Sequence, residues 1–406
     1  MTRPIAAAAV TDAEIEAVRS AVHATVPRFL DELATLVNID CGSYTRAGVN
    51  EVAAWTAAAL ADLGARVERR PDPAGRLGDT VVATFDGRQG RRRVLLIGHM
   101  DTVFDPGTAG ARPFRVVEGR AYGPGVTDMK SGLLAGLHAL AALRAVAPDP
   151  DAWLPLSRLV FIADPDEEIG SPTSTAHIRA AALESDVALV LECARANGDI
   201  VSARKGTLDL RLTVHGRAAH AGVEPEKGRN AILAAAHQVI DLQALNGRWA
   251  DVTCNVGVVR GGTRPNVVAE TVTLEVDLRS STRADLEAAE REVRAIAAAD
   301  HVPDVTTTIE EMGRHWPMEK LAGSERLVDQ AVELAGRLGF SVRDAATGGA
   351  SDANTTAGLG VPTLDGLGPI GGDDHAPGEY LEVDSIAPRT TLLALLLLAV
   401  ARDDAA

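Results

Sequence analysis

His99 and Asp101 lie two residues apart just beyond an apolar run, Val94 to Ile97, so on an extended chain both side chains leave on the same side. A histidine there is more often a hydrogen-bonded structural residue than a ligand, and an aspartate is as readily a loop cap. The rest of the chain changes that balance. Asp128 follows a Gly/Pro-rich turn, Glu167 and Glu168 follow a second apolar run, Glu192 closes a third, and His375 sits in a late Gly/Pro-rich loop. Gathered at one edge, three carboxylates and two imidazoles crowd like charge at a cost that metal cations relieve.

This inventory suits two zinc ions better than one. Asp128 can bridge both, with His99 and Glu192 on the first ion and Glu168 and His375 on the second, each ion keeping an open or water-filled position. Calcium prefers more oxygens and fewer imidazoles, whereas cobalt and manganese are alternatives that the sequence does not separate from zinc. Adjacent acids usually form a solvated loop, but Pro165 and Gly170 flank Glu167 and Glu168 immediately after a strand-like run. With Glu168 turned to the metal, Glu167 reads as a general base facing the bridging water. Asp101 reads as the partner that fixes the tautomer of His99. Cys193, beside Glu192, reads as a buried structural residue, because a nucleophile needs a stabilised thiolate.

The elements that must position these residues alternate. Thr11 followed by Glu14 is a capping-box pattern, and Ile15, Val18, Val22, Val26, Phe29, Leu33 and Leu36 carry the spacing of a long amphipathic helix. A second helix is predicted to start at Asn50 and stop at Gly64. Val81–Phe85, Val94–Ile97, Leu159–Ala163 and Val187–Leu191 read as buried strands, with a helix over Ser131–Leu143, which argues an α/β layer with a mostly parallel sheet. The polar residues fall just beyond strand ends, where open sheets form their ligand crevice. After about residue 203 the pattern changes: Leu208, Leu210, Leu212 and Val214 alternate as in a sheet with one solvated face. An α+β domain over 204–316 is therefore predicted to interrupt a catalytic domain made of 1–203 and 317–406.

Composition bounds the partners. The 406 residues carry 40 Lys+Arg against 56 Asp+Glu, a formal charge of −16, which disfavours nucleic-acid or anionic-membrane binding. At 3% aromatic residues there is little stacking material for single strands, and neither Gly98 nor Lys130 belongs to a nucleotide-binding glycine loop. Three scattered cysteines make neither a disulfide framework nor a four-thiolate zinc site. The apolar run from Ile5 to Val10 is too short for an export signal, and Leu392–Ala401 covers only about 15 Å at helical rise. A cytoplasmic protein with a buried terminal helix is expected.

Taken together, Gly98-His99-Met100-Asp101-Thr102-Val103, Gly123-Pro124-Gly125-Val126-Thr127-Asp128-Met129-Lys130 and Asp166-Glu167-Glu168-Ile169-Gly170-Ser171 resemble the M20 metallopeptidase family, in its glutamate carboxypeptidase-like and aminoacylase-like branch. The resemblance extends through Glu192, the interrupting domain and His375. It implies a zinc-peptidase-like catalytic domain with a smaller dimerisation or lid domain. It also implies two zinc ions bridged by Asp128, Glu167 as base and Asp101 behind His99. His220 matches the histidine that family members supply across a dimer interface to the substrate carbonyl. Asn266 and Arg279 match substrate-binding positions, and Arg279 offers a planar donor fork to a terminal carboxylate. Lys205, Ser351 and Asp352 are further candidates around that carboxylate, Asp352 being equally a turn stabiliser or a partner for a substrate amine.

The expected function is thus a homodimeric di-zinc hydrolase that releases an amino acid, with glutamate one candidate, from a small peptide or C-terminal amide. Deacylation of an N-acyl amino acid is the alternative, and a noncatalytic dimer that binds a small ligand is the reading from another class.

Overall fold

The computed structural model describes residues 10–87 and 92–403; residues 5–9 of the N-terminal apolar run lie outside them. Helix α1 (Asp12–Val37) opens on the expected box: Thr11 Oγ1 accepts the Glu14 N–H at 3.2 Å while the Glu14 carboxylate accepts the Thr11 N–H at 2.9 Å. Its predicted apolar face is buried, with Val26 only partly so. Helix α2 (Arg46–Asp62) starts four residues before Asn50. The side chain of Asn50 does not cap it, but accepts the Asp79 N–H at 2.8 Å from within the helix. Gly64, at φ +97, ends it as expected.

The chain divides into two compact units, one of residues 1–202, 320–346 and 351–406, the other of 203–319 and 347–350. In chain order the first unit continues with β1 (Arg66–Arg70), β2 (Thr80–Asp86), β3 (Arg93–His99), α3 (Ser131–Val146), β4 (Arg158–Asp164), α4 (Thr175–Leu183) and β5 (Val187–Val190).

The second unit contains β6 (Gly206–His215), α5 (Ala231–Gln243), β7 (Thr253–Gly261), β8 (Thr271–Ser280), α6 (Arg283–Ala298) and β9 (Thr306–His315). Its sheet is antiparallel, in the order β7-β8-β6-β9. Leu208, Leu210, Leu212 and Val214 face a core completed by α5 and α6, so the alternation marks a half-solvated sheet as read from the sequence.

The chain then returns to the first unit through α7 (Ala322–Leu338), α8 (Asp352–Gly358), β10 (Thr363–Leu364) and α9 (Ile386–Arg402). The main sheet runs β1-β2-β4-β3-β5-β10. The pairs β3–β4, β3–β5 and β5–β10 are parallel, while β1 and β2 join antiparallel at one side. Strands β3 and β5 are covered on both faces, which explains their unbroken apolar runs. Helix α9 is long and apolar enough for a membrane, but 78% of its apolar window is buried and it packs on α1, α3 and α7.

The C-terminal ends of β3, β4 and β5 point at one edge, and α3 closes tightly beneath it. A Cβ on Gly132 would lie 1.8 Å from the Leu191 carbonyl oxygen, a backbone atom that cannot rotate away. Gly132→Ala is therefore expected to destabilise the protein by about 1–3 kcal/mol or more, read as a lower thermal midpoint; an unchanged midpoint would contradict this approach of α3 to the strand that leads to Glu192.

Candidate metal centre

Five predicted ligands meet in the first unit. His99 ends β3, Glu192 follows β5 by two residues, and Glu168 lies in the turn after β4. Asp128 lies in the turn before α3, and its peptide bond to Met129 is cis. His375 stands in a loop at φ +62. Asp128 divides its carboxylate between two groups. Its Oδ1 is 3.1 Å from His99 Nε2, which is also 3.6 Å from Glu192 Oε1. Its Oδ2 is 3.0 Å from His375 Nε2, which is 3.1 Å from Glu168 Oε2. Within each trio, His99-Asp128-Glu192 and Asp128-Glu168-His375, one ligand atom per residue lies within 4.8 Å of the others.

The charges respond to this crowding. Burial acts to raise the Asp128 carboxyl, but hydrogen bonds from His375 and His99 outweigh it and hold the group below the usual carboxylate range. Hydrogen bonds to Asp128 and Glu168 raise His375 to about 11. Burial pushes the Glu167 carboxyl well above its ordinary range, with Glu192, Asp352 and Glu168 acting in the same direction against His99. Two imidazoles and three carboxylates that converge in two groups sharing Asp128 are a donor set suited to a borderline divalent cation.

Asp101 is buried beneath both trios. It accepts hydrogen bonds from Ser43 Oγ at 2.6 Å and from the Glu167 and Glu168 amides at 3.2 and 3.3 Å, and its Oδ1 is 3.4 Å from His99 Nδ1. The carboxylate thus orients the backbone of a predicted ligand and base, while the Asp101 backbone carbonyl, 3.1 Å from His99 Nδ1, helps orient the predicted ligand histidine. Asp166 fixes the same turn by accepting from Thr173 N, Thr173 Oγ1 and Ser174 Oγ at 2.5–2.6 Å. Burial raises the Cys193 thiol well above its usual range, which suits a structural residue.

Ser351 and Asp352, candidates around a substrate carboxylate, are both engaged within the fold, which matches the structural alternative given for Asp352. Ser351 caps α8, accepting the Ala353 N–H and donating to Asp365 at 2.8 Å, and is buried. Asp352, also buried, accepts from Ser171 Oγ at 2.6 Å and shares a hydrogen bond with Asp164. A helix starts where the sequence suggested an open loop, and its first turn turns these side chains inward. Glu379 and the fully buried Arg389 had no motif to mark them. Arg389 donates to the carbonyls of Gly198, Gly366 and Gly368, and the Gly368 N–H in turn donates to the Glu192 carbonyl at 2.8 Å.

His220, Asn266, Arg279 and Lys205 belong to the second unit. His220 and Asn266 are exposed on facing segments, bridged at His220–Val267. His220 Nδ1 accepts the Gly222 N–H at 3.2 Å, so the ring proton sits on Nε2 and that nitrogen is a donor. Arg279 is half-exposed, its Nε on Asp277 at 3.1 Å and one Nη on the Gly348 carbonyl. Lys205 pairs with Asp251 at 2.7 Å.

The Peptidase family M20/M25/M40 model matches residues 95–399. Carboxypeptidase G2 of a Pseudomonas species is 29% identical over 378 residues, 92% of this chain and 89% of that protein. A succinyl-diaminopimelate desuccinylase of Stenotrophomonas maltophilia is 28% identical over 318 residues, 73% of this chain and 81% of that one. The crystal structure of aminopeptidase PepT from Bacillus cereus superposes with a TM-score of 0.74 at 25% identity, covering 93% of this chain and 99% of the other. The matched span holds every residue of both trios and also Asp101 and Glu167, and the chain belongs to the M20/M25/M40 peptidase family, as a metal-dependent hydrolase.

Proposed function

We propose that this protein is a di-zinc amidohydrolase that cleaves a small peptide or C-terminal amide to release a free amino acid, glutamate being the first candidate. The observation that carries the reading is the division of Asp128, one oxygen toward each trio. His99, Asp128 and Glu192 would hold one ion, and Asp128, Glu168 and His375 the other, with cobalt or manganese as substitutes. Bound there, zinc supplies Lewis-acid polarisation of the scissile carbonyl and acidifies water.

The chain supplies the remainder. Glu167 takes the proton from the water that attacks the carbonyl carbon and returns it to the amine as the C–N bond breaks. The Nε2 donor of His220 is suited to an oxygen that gains charge in the tetrahedral species. Asn266 and Lys205 add polar contacts, and Arg279 pairs with the substrate carboxylate.

Similarity to carboxypeptidase G2 supports the carboxypeptidase reading; similarity to a succinyl-diaminopimelate desuccinylase supports deacylation of an N-acyl amino acid as the second. Both use the same attack and differ in the acyl-side pocket. A homodimer is favoured by α5, which exposes Ile232, Leu233 and Ile240, beside the sheet's edge strand β7 with exposed Val259. Three buried free thiols suit the reducing cytoplasm.

Mass-spectrometric assay of N-acyl amino acids, dipeptides and aromatic-acyl glutamates is expected to show amino-acid release by zinc-loaded protein and none after chelation. Glu167→Gln should lower kcat by about 10²–10⁴-fold with zinc content and thermal midpoint unchanged; turnover retained by the metal-loaded variant would remove Glu167 from the base role. If His220 acts across the dimer, mixing inactive His220→Ala and Glu167→Ala proteins should restore part of the activity through mixed dimers. No recovery despite demonstrated subunit exchange would place His220 in its own subunit's chemistry or outside it.

A further inference from the structure

We propose that Glu379 is a positioning residue for the second metal trio, locking the backbone that carries Asp128 to the loop that carries His375; the proposal rests on the two-ion reading above. Glu379 is 1% exposed, and its carboxylate collects three amides. Gly125 N–H reaches Oε2 at 2.9 Å, while Thr127 and Asp128 N–H reach Oε1 at 2.9 and 3.1 Å. Such convergence needs neighbouring N–H groups aimed at one point, a concavity that binds anions. Gly125 makes the bend at φ +72, and a Cβ there would meet Thr102 Cγ2 at 2.6 Å. The fold fills this concavity with its own carboxylate.

The other end of the strut is the His375 loop. Glu379 N–H donates to the Ala376 carbonyl at 3.1 Å and Ala376 N–H to the Asp373 carbonyl at 3.0 Å, closing the turn around His375. The Glu379 carboxylate therefore holds the amide of Asp128, and by anchoring residue 379 it steadies the backbone N–H that closes the turn of His375, whose ring meets Asp128 Oδ2 and Glu168 Oε2. The other trio has braces of its own, His99 resting on Asp101, which also holds the Glu168 amide, and the Glu192 carbonyl on the Gly368 N–H. Loss of Glu379 should weaken the ion held by His375 more than the ion held by His99, although both use Asp128.

The test is zinc equilibrium dialysis of the full chain against a competing chelator, with Glu379→Gln and Glu379→Ala beside the wild type. Gln keeps the shape but turns an NH₂ toward amide donors. Wild type is expected to hold two equivalents. Both variants are expected to unfold cooperatively as metal-free proteins and to bind one equivalent near wild-type affinity and the second about 10–100-fold more weakly, with kcat falling more than KM rises. Folded variants that bind both equivalents as wild type does, or weaken both equally, would overturn the proposal. So would a Gln variant that cannot fold, since Glu379 would then serve the fold and not the site. A wild type without a second equivalent would refute the two-ion reading before any variant is made, and this proposal with it.

Discussion

The structure turns on one carboxylate, Asp128, which must face two imidazole–carboxylate groups at once. Its oxygens lie 3.1 and 3.0 Å from His99 and His375, with Glu168 and Glu192 beside them and Glu167 within electrostatic reach. Acids concentrated this closely are costly to keep ionised away from water. Facing imidazoles offset part of that cost, and the backbone must keep the acids from relaxing apart. Buried carboxylates supply that rigidity by accepting amide and hydroxyl donors: Asp101 beneath His99 and Glu167, Asp166 beneath the turn after β4, and Glu379 beneath Asp128 itself.

Those braces work because the sheet delivers their attachment points in register. His99 and Asp164 are paired at the ends of parallel strands β3 and β4, which places the Asp101 loop against the Glu167 turn. Strand β5 brings Glu192 alongside, and the Gly132 approach of α3 to Leu191 fixes its height. Arg389 reaches from α9 through the core to the carbonyls of Gly366 and Gly368, tying the core helix to the loop that holds the Glu192 backbone. Long apolar helices and short polar strand ends are thus two parts of one device.

Much of this was legible in the sequence, for identifiable reasons. The clustering of candidate ligands that follow apolar runs was readable, because a buried strand fixes where its next residues emerge; His99, Glu168 and Glu192 are of this kind. The second unit was readable from the two-residue period of Leu208 to Val214. Residues whose roles depend on partners distant in sequence were not. Asn50 serves a loop 29 residues away rather than starting its helix, and the bond of Asp352 to Ser171, 181 residues away, could not be read from its own loop. Glu379 has no periodicity at all, and its meaning lies in three amides more than 250 residues earlier. The left-handed glycine of the Gly123–Asp128 turn was the available hint, since such a turn gathers N–H groups that need an anion.

The most direct test of two cations shared by Asp128 is anomalous diffraction from crystals grown with zinc, recorded on both sides of the zinc absorption edge. Two peaks are expected, one among His99, Asp128 and Glu192 and one among Asp128, Glu168 and His375. A single peak, or peaks away from Asp128, would contradict the account.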